Sequence, residues 1–303
     1  MITYLTHENI DLKRWDACIE QASNGLVYAW SWYLDIVHPG WDALVEVKDG
    51  NYLSVMPITH KRKYFVNYLC QPFFVQQLGI FSTVPVTVET THAFLKAIPE
   101  KYRLVEIRLN EKNPVETSWQ GIGLHSNHLL DLYRTYSSLS FDYHNNTQRN
   151  LKKSLKYDLQ LVEAVPIQKI ISLFRKDRGV MVKHWGNAEY ARLERLTEAA
   201  TTLSNAFVYG VKTFDNDEII CGALFMISHH RITFLFSGNS LVGKEVQAMS
   251  FLLDKVIQRY SGQPLVLDFE GSDDENLARF YHGFGAKPVS YPSYAYRWKN
   301  PLQ

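Results

Sequence analysis

Residues 265–286 read LVLDFEGSDDENLARFYHGFGA, and no other run constrains the fold as tightly. It opens with apolar strand formers, passes through an acidic turn and continues as a short helix. The helix ends in Phe280-Tyr281-His282-Gly283-Phe284-Gly285. Strand alternation sends Leu265, Leu267 and Phe269 to one face and Val266, Asp268 and Glu270 to the other. A strand covered on both faces reads as apolar throughout, so two carboxylates near its C-terminal end need a reason. Either they face a cleft, where crowding raises one pKa and a carboxylate accepts a proton from an ammonium. Or they cap the following turn and pair with a nearby Arg or Lys. Ser272, Asp273 and Asp274 offer an N-cap in any case.

The rest of the chain alternates helices with strands. Residues 9–37 read as helical, with a break at Asn24-Gly25. Residues 43–57 then form a hairpin around Asp49-Gly50. Residues 206–227 repeat that pattern around Asp215-Asn216-Asp217, with Val211 standing where Val47 stood, slightly more than half the chain later. Each hairpin follows a largely helical segment. That is what an internal duplication gives, and it is also a common α/β order. Residues 145–157 read as a helix capped at Asn145, Asn146 or Thr147. Residues 159–165 read as a strand and residues 167–178 and 188–203 as helices. Residues 232–237 form a further strand, and 245–260 an amphipathic helix. Residues 291–298 close the chain as an aromatic-rich strand. The expected class is α/β (α+β), mixed sheets flanked by helices, with domains at 1–135 and 136–303.

Bulk properties narrow the function classes. The 303 residues allow one large or two ordinary domains. A net charge of +1 gives no overall pull toward DNA or an anionic surface, so any basic site is local. Cys18, Cys70 and Cys221 form no CxxC pair and no metal spacing. Residues 1–15 lack the apolar core of a secretory signal, and no apolar run nears the ~18 residues that span a bilayer. A cytoplasmic location is the expectation. His125 and His128 lack the partners for a metal site, and no metal is expected. His229 and His230, if on a strand, face opposite ways. No HExxH, Walker, GxSxG or GxGxxG element is present.

The exit Ala278-Arg279-Phe280-Tyr281-His282-Gly283-Phe284-Gly285 is similar to the GNAT N-acyltransferase segment A-x-x-Y-x-x-φ-G. Residues 143–161, YHNNTQRNLKKSLKYDLQL, resemble the entry to the second domain of the Fem family. Fem proteins are tandem-GNAT peptidoglycan-bridge aminoacyltransferases. Asp268 close to Gly271, and Phe280 with Gly283-Phe284-Gly285, also look Fem-like. The likeness covers mainly residues 128–298. It implies two GNAT-like domains in tandem, the first degenerate, and acyl transfer to an amine by direct attack. The implied co-substrate is an acyl-CoA or similar thioester. The implied acceptor is a small-molecule or cell-wall-precursor amine. Two positions depart from the patterns. Gln247-Ala248-Met249 stand where a GNAT has the glycines of its pyrophosphate loop, with Gly243 the only glycine nearby. Tyr281 stands where the Fem motif has lysine, which leaves a tRNA-borne donor possible but not favoured.

On this reading Asp268 or Glu270 is the base and Tyr281 the acid that protonates the leaving thiolate. The alternative for Tyr281 is a packed helix aromatic. Arg149, Lys152 and Lys153 of the basic helix, with Gly243 and Gln247, are the candidate donor contacts. The alternative for the basic run is a solvated face. Lys183, His184 and Trp185 are the candidate acceptor contacts, or a loop anchored by a buried Trp. Residues 71–81 combine aromatics with three glutamines, which suits a ligand groove or an irregular strand. A Fem-like transferase and a non-catalytic binding module on the same fold are the competing functions.

Overall fold

A computed structural model describes residues 1–182, 185–215, 217–271 and 273–297. The chain divides into two compact units, Met1–Ser126 with Val289–Gln303, and Asn127–Pro288. The C-terminal strand therefore belongs with the first unit, whereas the sequence reading grouped it with the second.

The first unit begins with β1 (Ile2–Leu5), α1 (Leu12–Gln21), α2 (Ser31–Val37), β2 (Asp42–Lys48) and β3 (Asn51–Ile58). It continues with β4 (His60–Lys63), β5 (Val66–Cys70), β6 (Phe81–Ser82), α3 (Val88–Lys96) and β7 (Tyr102–Arg108). Strand β8 (Ile122–Asp131) then leads into the second unit. Asp11 starts α1 by accepting the backbone N–H groups of Lys13 and Arg14, each at 3.1 Å. Trp15, Cys18 and Ile19 then fall on one buried face. The β2–β3 hairpin turns at Asp49 and Gly50, both at positive φ, as the Asp-Gly signal requires. Strands pair in the order β1-β2-β3-β6, while β5 runs parallel to β7. The glutamine-rich stretch is a set of buried cross-links. Gln71 Oε1 accepts Arg108 N–H at 3.1 Å and Gln77 Oε1 accepts Glu111 N–H at 2.8 Å. Irregular backbone passing through a core needs such side-chain partners.

The second unit holds α4 (Tyr136–Phe141), α5 (Asn145–Ser154), β9 (Leu159–Glu163), α6 (Ile167–Lys176) and α7 (Asn187–Thr202). Next come β10 (Ala206–Thr213), β11 (Cys221–Ser228), β12 (Arg231–Asn239), α8 (Leu241–Glu245) and α9 (Ala248–Tyr260). It ends with β13 (Val266–Gly271) and α10 (Glu275–His282), and β14 (Lys287–Arg297) returns to pair with β7. Its strands lie in the order β8-β13-β12-β11-β10-β9, antiparallel except for β12–β13. His229 and His230 form the two-residue turn between β11 and β12, both at positive φ, rather than lying on a strand. The helix at 145–154 has His144 as its N-cap residue, with no side-chain capping bond.

Two features set the positions of the helices that border the site. Gly222 and Gly238 are cross-strand partners on β11 and β12. A Cβ at Gly222 would lie 2.1 Å from Ile170 Cδ1, and one at Gly238 would lie 2.4 Å from the Ile170 carbonyl oxygen. The bare backbone there lets α6 settle directly on the sheet. The second is Asp254, buried on the inner side of α9. It accepts the Tyr136 hydroxyl at 2.8 Å and the Tyr143 hydroxyl at 3.1 Å, tying α9 to the α4–α5 segment.

Burial pushes the Asp254 carboxyl above the ordinary carboxylate range, and the two phenols only partly offset this. A raised folded-state pKa means that the fold favours the protonated form. This contribution is present below the unfolded value and is lost as pH rises through the folded one. We expect Asp254→Asn to flatten that part of the stability–pH curve, measured by thermal unfolding. Asp254→Ala, which strips both phenols of their acceptor, should cost about 1–3 kcal/mol.

Candidate functional site

The site begins where two strands part. β12 and β13 pair for three residues, Arg231 with Val266, Ile232 with Leu267 and Thr233 with Asp268. Beyond Thr233 the ladder stops, and residues 234–239 and 269–271 line opposite walls of a cleft of about 590 Å³. On β12 one extra residue, Leu235, is inserted opposite Leu224 and Phe225 of β11. A bulge residue leaves the ladder, so the cleft wall carries backbone groups without a strand partner there.

A second bulge, on β13, explains what happens to the two carboxylates. Asp268 faces Leu129 and Gly271 faces Asn127, so β13 spends one residue more than β8 over this stretch. The extra residue breaks the alternation on which the sequence reading relied. Asp268 is 1% exposed and does not line the cleft. Its Oδ2 accepts Arg231 Nη1 at 2.6 Å, and its Oδ1 accepts Asn127 Nδ2 at 2.9 Å and Glu270 N–H at 2.8 Å. Both oxygens are occupied holding three parts of the chain. Glu270 sits at φ +59° and lines the cleft, so the two carboxylates are separated rather than paired. The turn beyond is capped by Asp274, which accepts Asn276 N–H at 2.8 Å and Leu277 N–H at 3.2 Å.

Tyr281 lines the same cleft from α10. Its ring stacks on Phe269 with centroids 4.7 Å apart. The phenol is pushed well above its ordinary pKa, first by burial and then by the negative charge of Glu270, with Arg178 opposing. It therefore keeps its proton throughout the neutral range. His282 is engaged locally, its Nδ1–H donating to the Ala286 carbonyl oxygen at 3.0 Å.

The opposite border comes from α6, α8 and α9. Phe174, Trp185 and Phe236 form an aromatic wall, with Phe174 and Phe236 centroids 4.8 Å apart and Trp185 stacked on Phe236. Trp185 is thus placed at the cleft, while Lys183 and His184 lie outside the described residues. Lys244 Nζ meets Asp177 Oδ1 at 2.6 Å, and both line the cleft with Arg178.

Gln247, Met249 and Ser250 open α9 onto the cleft, and this helix start has no side-chain cap. Its first N–H groups and the helix dipole suit an anion. Gln247 itself sits at φ +61°, a conformation that glycine adopts freely and that costs another residue about 1–2 kcal/mol. The turn thus has glycine-like backbone geometry without glycine. Gly243 does not line the cleft. A Cβ there would meet Asn239 Oδ1 at 2.2 Å and the Ile220 carbonyl oxygen at 2.5 Å, so its role is close packing. Arg149, Lys152 and Lys153 are exposed on α5 and also lie outside the cleft lining.

Sequence reasoning missed Arg178, Lys244 and, of the aromatic wall, Phe174 and Phe236. Arg178 was absorbed into the end of a helix. Phe174 and Phe236 are ordinary core residues by periodicity. Among the described residues, no group of three or more His, Cys, Asp and Glu is placed to hold a metal, and no helix is long and apolar enough to cross a membrane.

No family model matches this chain, and no curated protein matches it. Solved structures do. FemX is similar over 97% of both chains at 13% identity, with a TM-score of 0.67. A conserved protein of unknown function from Bacteroides thetaiotaomicron is similar at 10% identity and TM-score 0.56, covering 98% of this chain and 100% of that one. A tandem GNAT protein from the clavulanic acid biosynthesis pathway is similar at 8% identity and TM-score 0.52, over 98% of both. At these identities the likeness is one of fold. The chain has the tandem GNAT-like fold expected from residues 128–298, in the mixed α/β class expected from its element order.

Removing one partner of a buried ion pair leaves an uncompensated charge. We expect Arg231→Met to lose about 3–5 kcal/mol in denaturant unfolding, with Asp268→Asn milder because the charge it leaves unpaired, on Arg231, is the more exposed of the two. A normal unfolding midpoint for Arg231→Met would contradict the structural role of Asp268.

Proposed function

We propose that this protein is an N-acyltransferase that moves an acyl group from a thioester, such as an acyl-CoA, to an amine. The observation that carries the reading is that Glu270 and Tyr281 line one cleft between parted strands, beside an uncapped helix start. The fold it shares with a tandem GNAT protein supports the class of reaction.

In this reading the amine binds as an ammonium and loses a proton to Glu270. Its nitrogen attacks the thioester carbonyl carbon, and a C–N bond forms. Backbone N–H groups of the β12 bulge stabilise the oxyanion. The C–S bond then breaks, and Tyr281, held protonated by burial, supplies the proton that the thiolate takes up. The first N–H groups of α9, with Lys244 and Arg178, face the donor's phosphates. The Phe174, Trp185 and Phe236 wall packs the acyl chain or the acceptor. Asp268 acts through Arg231 and Asn127 as a positioning residue, and the general-base role falls to Glu270.

A Fem-like reading, with an aminoacyl-tRNA donor and a cell-wall-precursor amine, rests on the full-length fold likeness to FemX and on the exposed Arg149, Lys152 and Lys153 of α5. It separates from the first by electrostatics. Donor binding through several phosphate contacts weakens steeply with salt. We expect loss of Lys152 and Lys153 to leave acyl-CoA binding unchanged. A large, salt-dependent loss of tRNA-borne donor binding in that variant would favour the Fem-like donor instead.

The main test is the acyl-transfer rate of Glu270→Gln and Tyr281→Phe under saturating donor. General acid–base groups typically contribute about 10²–10⁴-fold, so each variant should slow turnover by at least tenfold with an unchanged unfolding midpoint. The raised phenol pKa adds a pH signature. The wild-type rate should show no loss from Tyr281 ionisation up to at least about pH 10. Wild-type rates in both variants would overturn the assignment.

A further inference from the structure

The hairpin β4–β5 of the first unit carries a feature that the cleft chemistry does not use. Lys63 pairs with Val66, leaving Tyr64 and Phe65 as a two-residue loop. Both residues have positive φ, 47° and 66°. A two-residue hairpin loop with positive φ at both positions is the type I′ turn, which favours Asn-Gly. Bulky aromatics in that backbone are outliers held against a conformational preference. Packing does not compensate, because Tyr64 is 85% exposed and Phe65 90%.

Charge is arranged around the same tip. Lys61, Arg62 and Lys63 precede it, all exposed, in a chain whose overall charge is only +1. The Arg62 guanidinium lies 5.7 Å from the Phe65 ring centroid, and the Lys63 ammonium lies 5.4 Å from that of Tyr64. Val66, next to the tip, is 43% exposed. The hairpin end thus presents two rings foremost and three cations immediately behind.

We propose that the β4–β5 tip docks on an anionic phospholipid surface, with Tyr64 and Phe65 at headgroup level and Lys61, Arg62 and Lys63 against the lipid phosphates. Aromatic rings partition to the membrane–water interface, and cations near it are drawn to anionic lipids. Strand residues rise about 3.3 Å each, so all three cations fall within roughly 10 Å of the tip, about one Debye length. The convex shape favours a planar partner. Single-stranded nucleic acid is instead tracked by a groove lined with stacking rings. The inference stands on the first unit alone and does not depend on the reaction assigned to the cleft.

The test is co-sedimentation of the full chain with vesicles of phosphatidylcholine alone and with vesicles rich in phosphatidylglycerol. Binding should favour the anionic vesicles by about tenfold or more and fall as salt rises. The double variant Tyr64→Asn/Phe65→Gly should lose about tenfold in partitioning, while its unfolding temperature stays level or rises, since Asn-Gly suits the turn. Replacing Lys61, Arg62 and Lys63 by Gln should abolish the preference for anionic lipid. Undiminished vesicle binding by the tip variant, no vesicle binding by the wild type, or wild-type preference for single-stranded RNA over anionic vesicles would each overturn the proposal.

Discussion

The parting of β12 from β13 after Thr233 opens the cleft around which the second unit's candidate site is built. Two parallel strands that stayed paired would leave no cleft and no unpaired backbone. Asp268 holds the parting in place. Its carboxylate takes Arg231 from the start of β12, Asn127 from β8 and the N–H of Glu270 from its own strand. That last bond spans the bulged stretch of β13. The carboxylate that looked like chemistry in the sequence is the knuckle that aims its neighbour. Such a fully bonded, buried carboxylate is costly to form and costlier to break, which favours a single backbone path at this point.

The remaining borders are brought in by packing. The glycine pair at Gly222 and Gly238 lets α6 sit on the sheet, which carries Phe174, Asp177 and Arg178 to the cleft. Asp254 anchors α9 through two tyrosines, and the uncapped start of that helix opens on the same space. Gln247 holds a left-handed backbone there at an energetic cost. Strain retained at the mouth of a cleft is consistent with a turn shaped for a ligand.

Much of this was legible in the sequence. The strand–turn–helix of residues 265–286, the Asp49-Gly50 hairpin and the amphipathic α9 follow from period and turn chemistry. The tandem fold followed from the order of elements and from short motifs. The site was legible only in part. Glu270, Tyr281, Trp185 and Gln247 were named and do line the cleft. Asp268 was weighed between a cleft base and a partner of a nearby Arg or Lys, and it pairs with Arg231; the bulge after it parts Glu270 from its side, and no local residue pattern announces that bulge. Gly243 was read for phosphate and serves packing. The basic run of α5 was weighed between a binding face and a solvated one, and it stands exposed, away from the cleft. Arg178 and Lys244 went unseen because their relevance comes from helix placement. That placement depends on glycine contacts across three elements, which sequence spacing does not encode.

Hydrogen–deuterium exchange of the full chain with and without a millimolar acyl-CoA reads the cleft residue by residue. Binding in the cleft should add protection at residues 234–239, at 269–271 and at the start of α9, with little change elsewhere in the second unit. Those are the backbone groups that the parted strands and the uncapped helix leave for a ligand. Saturating ligand with no protection at any of the three, or with protection confined to other surfaces, would contradict binding in the cleft.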